Sequence, residues 1–426
     1  MLRSHFNHHH LCVTRRQFLR TTTAVVGGVL AGCTDSGGVP GARVTLTQWY
    51  HQYGEAGTQE AVLRYAAEYT RRYPDIAIKV VWVPGDYGTK LSTALLTAGG
   101  PDIFEDALTF PMVGASQVVP LDDLFTPEIR REFSAPDLAA NTVGGKIYGV
   151  RMIDDTGLLY YRKSLLQAAG IEPPTTMDAL ISAAKRLSSG DRKGLFVGND
   201  GGISALLTLA PWSAGSEFLS DNRIVFDTPR TAAAYERVRE LIASGALLIG
   251  APTDWADPSA LIQGLTAMQW GGLWSYPAIY KALGDDVGVV PWPELDDQGA
   301  PVTFAGGWSQ MINAQSRHID EAKRFVRWMW LENGALAQDW ALSYGFHVPP
   351  RQSIARNAAP LQSGVPAQAV RIVQQHGRLL PPIWNSAMTT ALSDALTNII
   401  QKGRPAAPEV AAAARKCERE LERSLE

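Results

Sequence analysis

VTLTQWYHQYGEAGTQEAVLRYAAEYTRRYPDIAIKVVWVPGDYGTKLSTALLTAGG, residues 44–100, is the stretch on which the fold class turns. Residues 44–49 are rich in β-branched and aromatic side chains, as a strand requires. Val62, Tyr65, Ala66 and Tyr69 then share one face at helical spacing, and the pattern stops at Tyr73, before Pro74. Ile76, Ile78, Val80 and Trp82 alternate as a second strand; Leu91, Ala94, Leu95 and Ala98 form a second helical stripe closed by Gly99 and Gly100. Two strand–helix units in succession predict α/β layers rather than a sandwich or a bundle.

Helix signals recur downstream. Thr175-Thr176-Met177-Asp178 has the form of a capping box ahead of Leu180, Ala184 and Leu187. Pro229 opens a helix with Ala234, Val238 and Leu241 inward, and Ile319, Ala322, Val326, Met329 and Trp330 mark a late one.

Upstream, Arg15 and Arg16 precede an apolar run, residues 21–32, that is too short to cross a bilayer. That is the layout of a signal peptide. TRRQFLR, residues 14–20, resembles the twin-arginine export signal, and Leu30-Ala31-Gly32-Cys33 resembles the lipobox of bacterial lipoproteins. Residues 1–32 are therefore expected to be removed and Cys33 to carry a lipid. Residues 33–43, with three glycines and a proline, read as a flexible tether. The expected location is the outer face of the cytoplasmic membrane, held there by the lipid anchor only.

Cleavage discards four arginines and no acid, which takes the formal net charge from −3 to −7. A mildly acidic chain argues against nucleic acid as a partner. Cys12 leaves with the leader and Cys33 is committed to lipid, so Cys417 is left without an intrachain disulfide partner. His51, His318, His347 and His376 are scattered, giving no metal-ligand spacing, and nothing calls for a cofactor. About 390 residues remain, more than one core usually supports, so two domains are expected.

Several stretches then resemble, in order, the extracellular solute-binding proteins of ABC importers, in the group that binds sugars and their derivatives. They are residues 90–104 (KLSTALLTAGGPDIF), 145–166 (GKIYGVRMIDDTGLLYYRKSLL), 169–187, 267–274 (AMQWGGLW), 287–293 and 304–350. Arg151 stands where the family usually has proline, and Arg162 where asparagine is usual. The resemblance implies an α/β, two-lobed periplasmic-binding-protein-like fold with a hinge and an interlobe ligand cleft. It places residues 43–152 and 302–355 in the first lobe and 153–301 and 360–426 in the second. It implies a monomer that performs no chemistry, captures its sugar and presents itself to the permease subunits of the importer. No Gly-x-x-x-x-Gly-Lys loop is present, so the ATPase must be a separate chain.

A sugar offers a rim of hydroxyls and two apolar C–H faces, so a site for it needs acids or arginine at the rim and aromatic rings on the faces. Aromatic candidates at strand ends are Trp49 and Tyr50, Trp274 and Tyr276, Trp308 after Gly306 and Gly307, and Trp384 after two prolines. The glycines allow close backbone approach. Each tryptophan is equally open to a place in the core. Glu105 and Asp106, and Asp154 and Asp155, are the acidic candidates; the alternative is turn and capping acids. Arg351 either contacts ligand or caps the structure before it, and Arg151 is placed close to the cleft.

Two enzyme readings compete. Ser182-Ala183-Ala184-Lys185 matches S-x-x-K and Ser220-Asp221-Asn222 matches S-D-N, as in penicillin-recognising serine enzymes, although K-T-G is absent. The four acids above would alternatively supply the carboxylate pair of a glycosidase.

Overall fold

The computed structural model describes residues 41–97 and 99–425. Cys33, the two export signals and most of the tether lie outside them, as does Ala98. Strand β1 (Val44–His51) pairs in parallel with β2 (Ile76–Val83), and with β3 (Ile103–Asp106) on its other side. Helix α1 (Thr58–Arg72) crosses between the first two, burying Ala61, Val62, Tyr65, Ala66 and Tyr69. Tyr73 ends it, because the residue before a proline is driven out of helical geometry. Helix α2 (Tyr87–Ala94) is shorter than its apolar stripe suggests. A Cβ on Gly100 would lie 2.6 Å from the Ala94 carbonyl oxygen, so the chain folds back tightly there to enter β3.

Strands Ser309–Ile312 and Val150–Arg151 extend this first sheet on the β3 side. One of its faces packs on α1 and on Phe325, Trp328, Trp330 and Trp340; the other packs on Tyr87, Leu91, Leu95 and Met112. Burial on both faces is what a largely parallel sheet demands.

The second sheet is built on the long strand Asp155–Arg162. Thr266–Gly272 lies along one edge of it, followed by Lys193–Phe196, while Thr303–Gly306 and Val287–Val290 share the other edge end to end. Thr303–Gly306 therefore belongs to the second sheet, held by the buried Thr303 hydroxyl donating to Gly157 O at 2.6 Å, and the chain returns to the first sheet at Gly307.

Three segments run side by side between the sheets: residues 151–155, 306–309 and 347–350. Met152 N–H donates to Trp308 O at 2.8 Å, and Asp154 and Val348 exchange two backbone bonds of 2.9 Å. Gly307, at φ +135°, is required here, because a Cβ would sit 2.0 Å from Ile153 O.

Candidate functional site

In sheets of this kind, ligands bind beyond the carboxyl ends of the parallel strands. β1 runs to His51, two residues past the predicted end. Trp49 and Tyr50 thus lie within the strand: Trp49 packs into the α2 layer, and Tyr50 is fully buried between Trp82 and Trp340. Tyr50 is therefore a core residue and not a ligand platform, while Trp49 is partly exposed. At the strand end is His51, which appeared in the sequence only as a scattered histidine, and beyond it are Tyr53 and Glu55, which carried no recognised signal.

Glu105 is fully buried, and its carboxylate is spent inside the protein. It accepts from His51 N–H at 2.8 Å, from His51 Nδ1 at 2.6 Å and from the Tyr53 hydroxyl at 2.7 Å. Burial and the adjacent Glu105 charge hold the Tyr53 phenol well above its usual range, so it stays a donor. Glu105 is thus a fixed anchor for the aromatic wall above it, in which His51 lies 4.0 Å from the Tyr53 ring and 4.2 Å from Trp308, nearly parallel to the latter. Trp308 is half-buried.

Asp106 points elsewhere, into a cavity of about 800 Å³. Asp86, Thr89 and Thr109 line the first-sheet side, and Asn385 and Ser386, at the start of the helix Ser386–Lys402, line the other. Burial pushes the Asp106 carboxyl up to about 6, against a hydrogen bond from Ala107 N–H. The same helix packs in the second core, so the cavity lies between the two packed cores.

His347, in the third crossing segment, joins the two sides. Its Nδ1 lies 2.5 Å from Asp155 Oδ1 and its Nε2 3.5 Å from Glu55 Oε1. Burial alone would lower its pKa, but the Asp155 and Glu55 carboxylates outweigh that and push it up to about 10, so it is a buried cation at neutral pH. Trp274 lies over His347 at 6.5 Å, nearly parallel, and leans on Trp255 at 5.7 Å. Trp255 was missed in the sequence; an aromatic inside the proline- and aspartate-rich loop 251–258 was the available signal.

Other candidates separate from this group. Trp384 is buried against Phe218 and Phe226, with its indole N–H donating to Thr389 Oγ1 at 2.9 Å. It is a core residue, because the two prolines before it turn the chain inward. Tyr276 packs on Phe346 and Tyr280. Arg351 turns back to donate to Leu331 O at 3.1 Å and to face Glu132, so its capping role is the one realised.

Asp154 and Asp155 are successive residues of an extended crossing and face opposite ways. Asp155 meets His347; Asp154 meets Arg151, whose Nη1 donates to Gly307 O at 2.7 Å. Arg151, Asp154, Asp155 and Gly306 line a second cavity of about 690 Å³.

The enzyme constellations are not assembled. Ser182 and Lys185 sit on the exposed face of the helix Met177–Leu187. Asp221 and Asn222, both at positive φ, are the turn of a hairpin joining Leu219–Ser220 to Arg223–Ile224. Glu105 is saturated by His51 and Tyr53, and Asp155 is engaged by His347, so neither is left free as a catalytic carboxylate.

Two interleaved α/β sheets, three crossing segments and a cavity between the cores define a two-lobed binding fold. The chain belongs to the bacterial extracellular solute-binding protein family, which residues 55–332 match. A probable ABC transporter-binding protein of Deinococcus radiodurans is 27% identical over 274 residues, covering 59% of this chain and 64% of that protein. An arabinooligosaccharide-binding protein of Bacillus subtilis is 24% identical, covering 70% of this chain and 72% of its own. Among solved structures, an ABC transporter solute-binding protein of Thermotoga lettingae bound with α-D-tagatose superposes with a TM-score of 0.77 at 21% identity, covering 88% of this chain and 99% of that one.

Proposed function

We propose that this chain is the substrate-binding lipoprotein of an ABC importer, capturing a sugar or sugar derivative between its lobes and delivering it to membrane permease subunits. The observation that carries the reading is the Asp106 carboxyl facing a cavity between the two cores, together with half-buried tryptophan rings near the crossing segments. Asp106 supplies an acceptor for hydroxyl groups, and Trp274, Trp255 and Trp308 supply faces for C–H surfaces. The cavity beside Asp106 falls within the range of small-molecule sites, roughly 300–1,000 Å³. Relatives that bind arabinooligosaccharide and tagatose support the sugar class.

The lobes are built around the two sheets, with the hinge in the three crossing segments. Asp155, Trp274 and Trp308 are ligand-facing, together with Asp106. Export by the twin-arginine route and a lipid on Cys33 would keep the receptor at the membrane beside its permease.

The test is calorimetry and thermal denaturation against mono- and disaccharides, amino sugars and glycerophosphodiesters. At least one is expected to bind, raise the melting temperature and be recovered intact. No heat and no stabilisation across the panel would remove the sugar assignment; turnover of the ligand would remove the binding-protein reading.

A further inference from the structure

The face of the crossing segments that carries Asp154 opens on the cavity of about 690 Å³. Arg151 enters it from the first sheet; Gly306 and Gly377 border it from the second. Proline and valine side chains, Pro349, Pro350, Val370 and Val373, form much of its wall. None of the cleft aromatics lines it.

At its inner end are three ionisable groups, Arg151, Asp154 and Asp137. Arg151 is only 6% exposed. Its Nη1 is used by Gly307 O, but its Nε lies 3.3 Å from Asp154 Oδ1 and 3.9 Å from Asp137 Oδ1 without a hydrogen bond to either. Asp154 Oδ1 is likewise buried without a hydrogen-bond partner among the described residues. Asp137 is tied by its other oxygen to the Ser134 hydroxyl at 2.6 Å. This buried donor and acceptor, 3.3 Å apart, face each other as an ion pair with neither making a hydrogen bond, which favours a group that can satisfy both.

The groups restrict what that something is. A carboxylate or phosphate would meet Asp137 and Asp154; an ammonium would meet Arg151 and, at the mouth, the exposed Arg356 and Arg378. One hydroxyl oxygen accepts from the guanidinium N–H and donates to the carboxylate at the same time, and it matches Asp154 in either protonation state. The apolar wall suits the C–H surface of the same molecule.

We propose that this cavity is a second ligand site, distinct from the cavity beside Asp106, which takes a small neutral polyhydroxylated molecule with one hydroxyl at the Arg151–Asp154 pair. The site does not depend on which ligand fills the cleft.

The experiment is a titration of the full chain, methyl-labelled at valine, with xylitol, myo-inositol and D-glucose up to about 50 mM, well above a millimolar dissociation constant. The methyl resonances of Val370 and Val373 are expected to move saturably with at least one of the three. Asp154→Ala, and independently Val373→Trp, which fills the cavity, should each weaken that response at least tenfold. Asp106→Ala should leave it in place. Absence of saturable movement with all three polyols would overturn the proposal. So would a response unchanged in both groove variants, or one lost in Asp106→Ala, which would assign it to the cleft.

Discussion

His347 sits between Asp155 and Glu55 with its ring covered by Trp274, and those two carboxylates hold it charged far above the usual histidine range. A histidine whose folded pKa is raised stabilises the fold fully below its unfolded value near 6.5, and that contribution is lost as pH rises toward about 10. Thermal denaturation from pH 7 to pH 10 should therefore show a steeper loss of stability in the wild type than in His347→Gln; equal slopes would mean that the imidazolium is not held by its neighbours. Residue types suited to a sugar site were legible in the sequence, but side-chain direction was not. Asp154 and Asp155 look alike as a dipeptide and part company because consecutive extended residues face opposite ways. Tyr50 and Trp384 look like platforms until the partners that bury them, Trp340 and Phe218, are brought in from distant parts of the chain.

Elements with a local cause were legible. α1 stops where Pro74 requires it, and Thr176 and Thr228 cap helices with hydroxyls accepting from Ala179 and Thr231 N–H. Elements whose limits are set at long range were not. The extra residues of β1 are paired by β2 through His51 and Val83, and the late helix, regular over Ile319–Val326, widens into a π-helical turn at Arg327–Glu332. Gly307 is the clearest long-range requirement, since its reason is the carbonyl of Ile153 in the neighbouring crossing. Gly307→Ala should destabilise the fold by about 1–3 kcal/mol through backbone strain and overpacking, measured by denaturant unfolding. Unchanged stability would show that the crossing segments have room to separate.

For the whole molecule, the strand–helix alternation predicted α/β layers and the ordered stretches predicted the family, and the family match over residues 55–332 agrees. The proposed lipid on Cys33 has its own test: Cys33→Ala should move the protein from the membrane to the soluble fraction while leaving ligand affinity unchanged, and retention at the membrane would remove the anchor from Cys33. A tether of this kind keeps a receptor near its permease and leaves both lobes free to move. The decisive measurement is calorimetry of Asp106→Ala and Trp274→Ala with the best-binding sugar. Each substitution is expected to weaken binding by about 1–4 kcal/mol, as central contacts do, and affinity unchanged in both would contradict the placement of the ligand between Asp106 and Trp274.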